Sequence, residues 1–530
     1  MNQLFYGDNL DVLREHIASE SADLIYLDPP FNSNANYNIL FKSKAGAGSD
    51  AQIEAFEDTW HWNEKAEDAF DQVARSGHTK AFDLLNAMRS FLGQNDMMAY
   101  LAMMAIRLIE LHRVLKPTGS LYLHCDPTAS HYLKLLLDGV FGPERFGNEI
   151  SWRRSNPKSL SSRNFANCRD TILRYTKSSE AYFRPIFGEH DPNYIRTAYK
   201  YVDDDGRRYR LLPLLNPNDD RPNLTYEFLG VTRVWRWTRD RMEKALADGL
   251  VVQLKPGAVP QYKKYLDESS GRTISNDWSD IPPVAGSEVL GYPTQKPVAL
   301  LERIIEASSN EGDVVLDPFC GCGTAVHAAQ KLGRQWIGID VTHLAISLIE
   351  KRLKDAFPGI QFTVEGTPKD LASAQDLAER DKYQFQWWAV SMVDALPFGG
   401  KKKGADGGID GIIYFNDLDP ATERMKTHRA IVSVKGGKPG VTMVETLAAC
   451  IEREKAPIGV LVMNGQPTPE MVRRAAAVGI WRDGTDDSFP RLQILTLPDL
   501  FQGKKPRIPN IDRTALKRAK REEATQHRLI

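Results

Sequence analysis

The stretch LIYLDPPF, residues 24–31, decides the fold of this chain. Its first four residues form a short apolar run that predicts a buried strand, and Asp28 stands where that strand ends. Pro29 and Pro30 fix their own φ angles and push the preceding residue away from helix, so the loop is stiff. The Asp28 carboxylate and a proline carbonyl can accept hydrogens from an amino group, and Phe31 offers a flat face for stacking. The stretch predicts a socket for a planar ring with an exocyclic amine; the alternative is a tight turn capped by Asp28.

A second stretch repeats this plan. Residues 313–317 are another apolar run ending in an acid, and residues 318–324 form a glycine turn before an apolar helix at 325–332. Such a turn brings backbone N–H groups and a helix N-terminus to a ligand. The next strand, 335–340, ends in an acid about 20 residues past the turn, a spacing that suits ribose hydroxyls. The glycines alone match a dinucleotide pattern only in part, and a structural turn is the alternative.

Three motifs in one order resemble the β-class of DNA amino-methyltransferases, a family that includes the type III modification subunits. They are DPPF at 28–31, TQKP at 294–297 and DPFCGCGT at 317–324, and the resemblance covers about residues 1–365. Strands that alternate with helices predict an α/β fold with a doubly wound, mostly parallel sheet, and the family order places the catalytic motif before the cofactor motif. The resemblance implies S-adenosyl-L-methionine as cofactor, double-stranded DNA as substrate, and a role in restriction–modification or defence.

The resemblance also assigns roles to matching positions. The implied catalytic residues are Asp28, Pro29, Pro30 and Phe31. The implied cofactor-binding residues are Asp8, Asp28, Thr294, Lys296, Pro297, Asp317, Pro318, Phe319, Gly321, Gly323, Thr324 and Asp340. Asp317 is expected to meet the cofactor's ammonium group, and Lys296 its carboxylate end. For Asp8 the alternative is a cap on the following helix. Thr294 and Pro297 are also predicted to cap or begin a helix at 298–308.

The implied reaction needs no metal ion, because positive charge leaves the sulfur as the methyl group transfers. The exocyclic amine of adenine is a poor nucleophile, since its lone pair is delocalised into the ring. Asp28 and a proline carbonyl can draw its two hydrogens into a tetrahedral arrangement, with the methyl donor in line roughly 3–3.5 Å away. The base must leave the duplex and stack on Phe31. Family members that methylate cytosine N4 more often carry Ser at the first motif position, so Asp28 favours adenine N6; cytosine N4 is the alternative.

Residues 184–290 break the alternating pattern, and the family carries its target-recognition insertion here. Arginines interleaved with aromatic rings suit phosphate contact, stacking and guanine reading. The long polar loop at 32–65 is predicted to be a lid with an aromatic tip. The predicted DNA-binding residues are Trp60, Arg208, Arg233, Trp235, Arg236 and Trp237. The alternatives are a solvated basic face for the arginines and an anchor to the core for Trp60.

Residues 380–500 resemble an Mrr-like restriction-endonuclease domain of the PD-(D/E)xK group, which holds Mg²⁺ with carboxylates. Asp410 matches the metal-binding acid and Lys435 the lysine. Ser433 stands where an acid or Gln is usual, and Gln386 where an acid would help. We therefore expect a degenerate domain that binds DNA or organises the complex. An active nuclease, which would need Mg²⁺ and make the protein bifunctional, is the alternative, and a hairpin without function is another.

Composition sets broad limits. The chain has 530 residues, 42% hydrophobic and 26% charged, with a net charge of −1, so any DNA-binding surface depends on local arrangement. The sequence contains no signal peptide and no apolar run of membrane length, so a cytoplasmic location without membrane partners is expected. The five cysteines do not form a disulfide framework, and Cys320 and Cys322 are too close for a zinc pair. A nicotinamide-linked oxidoreductase can be built on the same kind of sheet. It is ranked last among the functions considered, because the DPPF motif and the basic, aromatic insertion have no role in such an enzyme.

The predicted division is a catalytic half at 1–183, a target-recognition insertion at 184–290, a cofactor-binding half at 291–365, an endonuclease-like domain at 380–500, and a basic tail at 501–530. A very apolar helix within 97–115 is predicted to be either a core helix or a dimer face. If this helix is a dimer face, the protein forms a homodimer, which is also what the resemblance to the family implies. A restriction subunit is a possible partner.

Overall fold

In a computed structural model of the chain, the described residues are 2–30, 36–42, 48–57, 62–157, 165–290, 292, 294–398, 408–419, 424–484 and 487–509. The chain divides into two compact units. One unit comprises Met1–Arg184 with Asn276–Ile530, and the other is Pro185–Ser275. Phe31 and Trp60, both predicted as site residues, lie outside the described residues, as does the tail beyond residue 509.

The strands are numbered in chain order. They are β1 (Gln3–Tyr6), β2 (Ala22–Leu27), β3 (Asn36–Lys42), β4 (Gly48–Glu57), β5 (Leu115–Cys125), β6 (Phe146–Arg153), β7 (Arg169–Thr176), β8 (Phe187–Gly188), β9 (Tyr201–Val202), β10 (Arg208–Pro213), β11 (Thr225–Phe228), β12 (Val231–Val234), β13 (Val251–Val252), β14 (Gln261–Tyr265), β15 (Arg272–Thr273), β16 (Asp277–Trp278), β17 (Val314–Asp317), β18 (Gln335–Asp340), β19 (Thr363–Glu365), β20 (Leu396–Pro397), β21 (Gly411–Asp419), β22 (Arg424–Lys435), β23 (Ile458–Met463), β24 (Ile480–Arg482), β25 (Ser488–Pro490) and β26 (Leu492–Thr496).

The α-helices are numbered in the same way. They are α1 (Asn9–Glu15), α2 (Glu64–Arg75), α3 (Thr79–Leu92), α4 (Asp96–Val114), α5 (Ser130–Phe141), α6 (Pro192–Ala198), α7 (Arg239–Ala247), α8 (Val298–Ser308), α9 (Thr324–Lys331), α10 (His343–Ala356), α11 (Leu371–Arg380), α12 (Lys382–Met392), α13 (Val441–Arg453), α14 (Pro469–Ala477) and α15 (Leu497–Phe501). Short 3-10 turns lie at Pro143–Arg145, Pro222–Leu224 and Gly286–Glu288.

The main sheet has the strand order β16-β6-β7-β5-β2-β17-β18-β1-β19. From β5 to β19 all neighbours run parallel. The predicted α/β class with a mostly parallel sheet is therefore confirmed. Because β1, β2, β17 and β18 run in one direction, their carboxyl ends meet at one edge. Ligands in open α/β sheets bind at this edge, and these four ends carry the predicted site acids.

The far side of the sheet departs from the parallel plan. The alternation of strands and helices predicted a mostly parallel sheet, but β7 runs antiparallel to both β5 and β6. Parallel neighbours need a crossover connection, usually a helix. β6 and β7 are consecutive strands that pair antiparallel, a pairing that needs no such crossover.

Helix α4 is a core helix. Leu101, Leu108 and Leu111 are fully buried, together with most of its other apolar residues. It packs in the same hydrophobic cluster as Leu27 of β2 and Leu121 of β5. Its apolar sequence is thus explained by burial within one chain, which favours the core-helix alternative over the dimer face. Within the described part of the chain, no helix has the length and apolar character needed to cross a membrane.

The C-terminal part of this unit has a second sheet, ordered β20-β21-β22-β23-β26. β21 and β22 form an antiparallel hairpin, and β22, β23 and β26 run parallel. Helix α12 packs its Phe385 and Trp388 into the core of this domain, where they are 2% and 4% exposed.

The separate unit, Pro185–Ser275, contains a small sheet ordered β13-β14-β10-β9 and the hairpin β11-β12. Its hydrophobic core is built around Trp235, which is 0% exposed and donates its indole N–H to the carbonyl of Tyr226 at 2.8 Å. The prediction that Trp235 contacts DNA is therefore wrong. Its indole packs in this small core and has its N–H hydrogen-bonded there, as a buried tryptophan requires.

Candidate active site

A cavity of about 350 Å³ lies at the carboxyl ends of β1, β2, β17 and β18. It brings together most of the residues that the sequence assigned to catalysis and cofactor binding. Those that line it are Asp8, Asp28, Pro30, Thr294, Lys296, Asp317, Pro318, Phe319, Gly321, Thr324 and Asp340. The DPPF loop, the TQKP segment and the glycine turn, which lie far apart in sequence, thus meet around one space.

Two predicted cofactor residues do not line this cavity and have structural roles. Pro297 is the N-cap of α8 with extended backbone, and the following Val298 N–H donates to the Glu288 carboxylate at 2.6 Å. The cap predicted for Thr294 is therefore wrong, because Glu288 satisfies the helix start. Gly323 caps α9 with a φ of 75°, and a Cβ there would lie 2.8 Å from the Ile349 side chain. Only glycine avoids both the backbone strain and this close approach.

Asp28 forms an ion pair with Lys296. The Lys296 ammonium donates to Oδ2 of Asp28, and Lys296 is only 8% exposed. The sequence expected Lys296 to face the carboxylate end of the cofactor, a contact that stays a prediction. In the structure its ammonium contacts the predicted catalytic acid, because the end of β2 and the segment before α8 converge on the cavity. A charge pair this shielded from water holds both side chains in one position.

Asp317 is a buried acid that lines the cavity. It is 3% exposed, and its Oδ1 accepts the Phe319 N–H at 3.0 Å. Burial raises the pKa of Asp317 well above its ordinary value, and the nearby carboxylate of Asp28 raises it further. An ammonium group placed beside Asp317 would stabilise its ionised form. The predicted contact with the cofactor's ammonium group therefore fits this position.

Asp340 connects the glycine turn to the next helix. Its Oδ2 accepts the Gly321 N–H at 2.9 Å, and its Oδ1 accepts both the N–H and the hydroxyl of Thr342 at 2.9 Å. Burial raises the pKa of Asp340 to about 6, against these hydrogen bonds, which favour the charged form. Asp340 lines the cavity and so fits a ribose contact, while also fixing the turn itself.

Asp8 caps a helix, as one of its two interpretations expected, and it also lies at the cavity. Its carboxylate accepts the Leu10 N–H at 2.8 Å as the N-cap of α1, and Asp8 also lines the cavity. The sequence analysis missed its partner, Arg107, whose guanidinium donates to Asp8 at 2.8 Å and to Asn9 at 2.6 Å. Arg107 is 5% exposed, and it is the one charged residue in the stretch 97–109 of helix α4. A single arginine in that apolar stretch was the signal that could have revealed it, since buried charges require partners.

A buried hydrogen-bonded chain was also missed. Tyr26 lines the cavity, and its hydroxyl lies 2.9 Å from Nδ1 of His124, whose Nε2 lies 3.2 Å from Asp170. Arg154 donates to the same carboxylate at 2.9 Å. His124 is the penultimate residue of β5. The chain joins one residue from each of the strands β2, β5 and β7, so no local pattern could have shown it.

The second candidate site surrounds Asp410, just before β21. Its Oδ1 accepts the Gln386 amide, and its Oδ2 accepts the Val434 N–H at 2.5 Å and the Ser433 hydroxyl at 3.2 Å. The Lys435 ammonium lies 3.8 Å away. The residues matched from the sequence are therefore together. Within the described residues, no group of three or more His, Cys, Asp or Glu could hold a metal ion.

The predicted DNA-binding residues of the Pro185–Ser275 unit differ in exposure. Arg208, Arg233 and Arg236 are exposed, and Trp237 is half-buried. The Trp237 ring packs against Tyr262 with a centroid distance of 4.9 Å, and the Arg241 guanidinium lies 4.3 Å from it. The three exposed arginines and the half-buried Trp237 thus remain candidates for DNA contact.

Comparison with known proteins gives two family matches. A family model described as DNA methylase matches residues 22–351, and one described as NACHT-associated inactive Restriction Endonuclease 1 matches residues 394–502. Both resemblances stated from the sequence are confirmed.

Individual relatives are more distant. The type II methyltransferase M.EcaI of Enterobacter cloacae is 29% identical over 358 residues, which are 66% of this chain and 69% of that enzyme. The StyLTI Mod subunit, a type III restriction-modification enzyme of Salmonella typhimurium, is 28% identical over 360 residues, which are 63% of this chain and 50% of that subunit. Among solved structures, the cytosine-N4-specific PvuII DNA methyltransferase has a TM-score of 0.30 at 14% identity, over 68% of this chain and 89% of that one.

Proposed function

Because the chain belongs to the DNA methylase family, whose members use S-adenosyl-L-methionine, we propose that it methylates the N6 amine of adenine at specific sites in double-stranded DNA. The observation that carries the proposal is the shared cavity. Asp28 and Pro30 of the DPPF loop line the same space as the glycine turn at 318–324. A catalytic group and a cofactor loop must face one space for methyl transfer to occur.

The residues of this cavity fit the proposed cofactor. Asp317 offers a buried carboxylate for the ammonium group, Asp340 an acceptor for ribose hydroxyls, and Gly321 a close backbone approach at the start of α9. When bound, S-adenosyl-L-methionine supplies an activated methyl group on a positively charged sulfur. Burial raises the pKa of Asp317, and a cation bound in this space would favour its ionised form.

Asp28 would orient the target amine. With Oδ2 held by Lys296, the other oxygen of Asp28 would accept one amine hydrogen, and a proline carbonyl of the loop would accept the other. When these two acceptors draw both amine hydrogens to one side, the nitrogen lone pair becomes available to attack the methyl group. Lys296 acts here as a positioning residue, since it fixes the carboxylate that contacts the substrate.

The choice of adenine rests on Asp28 at the first position of the motif, because family members that methylate cytosine N4 more often carry Ser there. Both amines are attached to planar rings and could use the same acceptors, so cytosine N4 is the second candidate. The test is tritiated methyl transfer to unmethylated DNA, followed by digestion to nucleosides. N6-methyladenine is expected; N4-methylcytosine would retain the mechanism and overturn the base.

The unit Pro185–Ser275 is proposed to recognise the target sequence, within the insertion predicted at 184–290. Its exposed arginines, Arg208, Arg233 and Arg236, suit phosphate or guanine contact. Replacing Arg233 with Ala is expected to weaken DNA binding and to lower the slope of log affinity against log salt by about 1 if the contact is to phosphate. Trp237 and Trp60 are proposed to stack on DNA bases, and Phe31 on the flipped target base.

The endonuclease-like domain at 380–500 is proposed to be inactive, in keeping with the description of the family model that matches it. Its one firm acid, Asp410, already accepts three hydrogen bonds from the protein. Incubation of supercoiled plasmid with the protein and Mg²⁺ is expected to leave the DNA intact. Metal-dependent cleavage that Asp410→Asn abolishes would instead establish a bifunctional enzyme. A homodimer and a restriction subunit remain further proposals, to be tested by light scattering and by co-purification.

A further inference from the structure

Helix α12 belongs to the endonuclease-like domain but also contacts the methyltransferase. Its Phe385 and Trp388 pack in the core of the C-terminal domain. Between them in sequence, Trp387 points to the other side and is only 5% exposed. It forms a separate hydrophobic cluster with Tyr292 and Cys322, against which Leu344 and Leu348 of α10 also pack.

Two of the residues that pack on Trp387 also line the active-site cavity. Tyr292 and Cys322 both line it. Tyr292 also lies against the glycine turn, since a Cβ on Gly321 would come within 3.3 Å of its ring. The position of the Trp387 indole therefore constrains the Tyr292 ring, and that ring constrains the turn that the cofactor contacts.

A second set of contacts joins the same elements. The Gln384 side chain of α12 accepts the backbone N–H of His343, the first residue of α10, at 3.4 Å. The His343 ring stacks on Tyr6 at a centroid distance of 3.7 Å. Tyr6 ends β1 and immediately precedes Gly7 and Asp8, which line the cavity. Helix α12 thus approaches the cavity wall along two routes.

We propose that the endonuclease-like domain has become part of the cofactor site, with Trp387 as a positioning residue that holds Tyr292 and the glycine turn in place for S-adenosyl-L-methionine. The inference rests on the cofactor occupying the cavity described above. Two ligand-linked elements influence one another reciprocally, so cofactor binding must also stabilise α12. Coupling between sites in proteins is commonly about 5- to 150-fold in affinity.

The test uses the full-length protein and three variants. Trp387→Ala is expected to raise the KM for S-adenosyl-L-methionine about tenfold, with a smaller change in kcat at saturating cofactor. Trp387→Phe restores most of the affinity, because a ring again packs on Tyr292. Trp481→Ala is the matched control. Trp481 packs on Phe415, His428 and Phe489 of the same domain, and this variant is expected to leave KM unchanged.

Hydrogen exchange of the wild-type protein tests the reciprocal effect without any variant. S-adenosylhomocysteine is expected to slow amide exchange in α12 and to leave α13 of the same domain unaffected. Wild-type cofactor binding with no protection of α12, or an unchanged KM in folded Trp387→Ala, would overturn this inference alone. Absence of cofactor binding to the wild-type protein would overturn the proposed function as well.

Discussion

Asp28 and Asp410 are two acids in similar settings with different surroundings. Asp28 directly follows a strand and Asp410 directly precedes one, and each has a lysine nearby, Lys296 for Asp28 and Lys435 for Asp410. Asp28 lines a cavity of about 350 Å³. Asp410 is 8% exposed and accepts hydrogen bonds from the protein at both oxygens.

The difference shows that an acid and a lysine do not by themselves make a reactive site. A carboxylate that accepts two or three hydrogen bonds from its own protein has little capacity left for a metal ion or a substrate. At the Asp410 site, Gln386 and Ser433 stand where further acids would bring ligands, and they supply donors instead. At Asp28, a lysine holds one oxygen and the cavity remains for the substrate.

The strongest test of the contrast replaces each acid with its amide. Asp28→Asn is expected to lower methyl transfer about 10²- to 10⁴-fold, because the amide cannot draw the substrate hydrogen as the carboxylate does. Asp410→Asn is the matched control and is expected to retain full transfer. Tritiated methyl incorporation at saturating cofactor measures both. Equal loss in the two variants would mean that Asp28 has no special role.

The two lysines give the second test. Lys296→Met removes the partner of a shielded carboxylate and lets Asp28 move, and a displacement of about 1 Å can cost about 10²-fold in rate. Lys435 is 32% exposed and 3.8 Å from its acid. Such a pair contributes about 0–1 kcal/mol, so Lys435→Met is expected to have no effect on methyl transfer. Comparison of kcat for the two variants shows whether methyl transfer depends on the Lys296–Asp28 ion pair. A Lys296→Met enzyme with wild-type kcat would show that the ion pair is not needed.

Sequence alone predicted the fold and most of this cavity because both depend on local patterns. Strand ends followed by Pro-Pro or by glycine turns place Asp28, Asp317 and Asp340 at one sheet edge once the strands are parallel. What it missed depends on contacts between distant segments. Arg107 meets Asp8 from 99 residues away, and Lys296 meets Asp28 from 268 residues away. No spacing rule encodes such pairs.

Trp235 shows the opposite error. In sequence, a tryptophan among arginines resembles a DNA-contacting surface, yet the ring is 0% exposed and forms the core of a small unit. Trp235 packs there with Leu214, Phe228 and Met242, and it is the largest side chain of that core. Composition therefore marks the segment as special, and only the structure distinguishes its core ring from its surface arginines.

The dependence on pH gives a third, smaller test, which concerns the cavity that Asp28 and Asp340 line. The pKa of Asp340 is raised from 3.8 to about 6 in the folded protein, so its contribution to the free energy of unfolding is greatest at low pH and falls as pH rises through this window. Cofactor affinity should run the other way, since the ribose hydroxyls donate to the ionised form. Affinity is expected to fall by up to about tenfold per pH unit below 6. Binding measured from pH 5 to pH 8 should lose this step in Asp340→Asn, while any step due to Asp317 persists.

The Asp410 site, whose acid is already hydrogen-bonded to the protein, gives the last and smallest test. The wild-type protein is expected to show no Mg²⁺-dependent shift in unfolding temperature, because Asp410 is occupied by its neighbours. The double variant Gln386→Glu with Ser433→Glu removes two donors and adds two carboxylates around Asp410. Three acids in one place repel one another unless a cation joins them, so this variant should be less stable alone and regain stability with Mg²⁺. At a Mg²⁺ concentration near 100 times the dissociation constant the gain is about 2.7 kcal/mol. A wild-type protein that Mg²⁺ stabilises equally would show that the Asp410 site is not closed, and the contrast with Asp28 would fail.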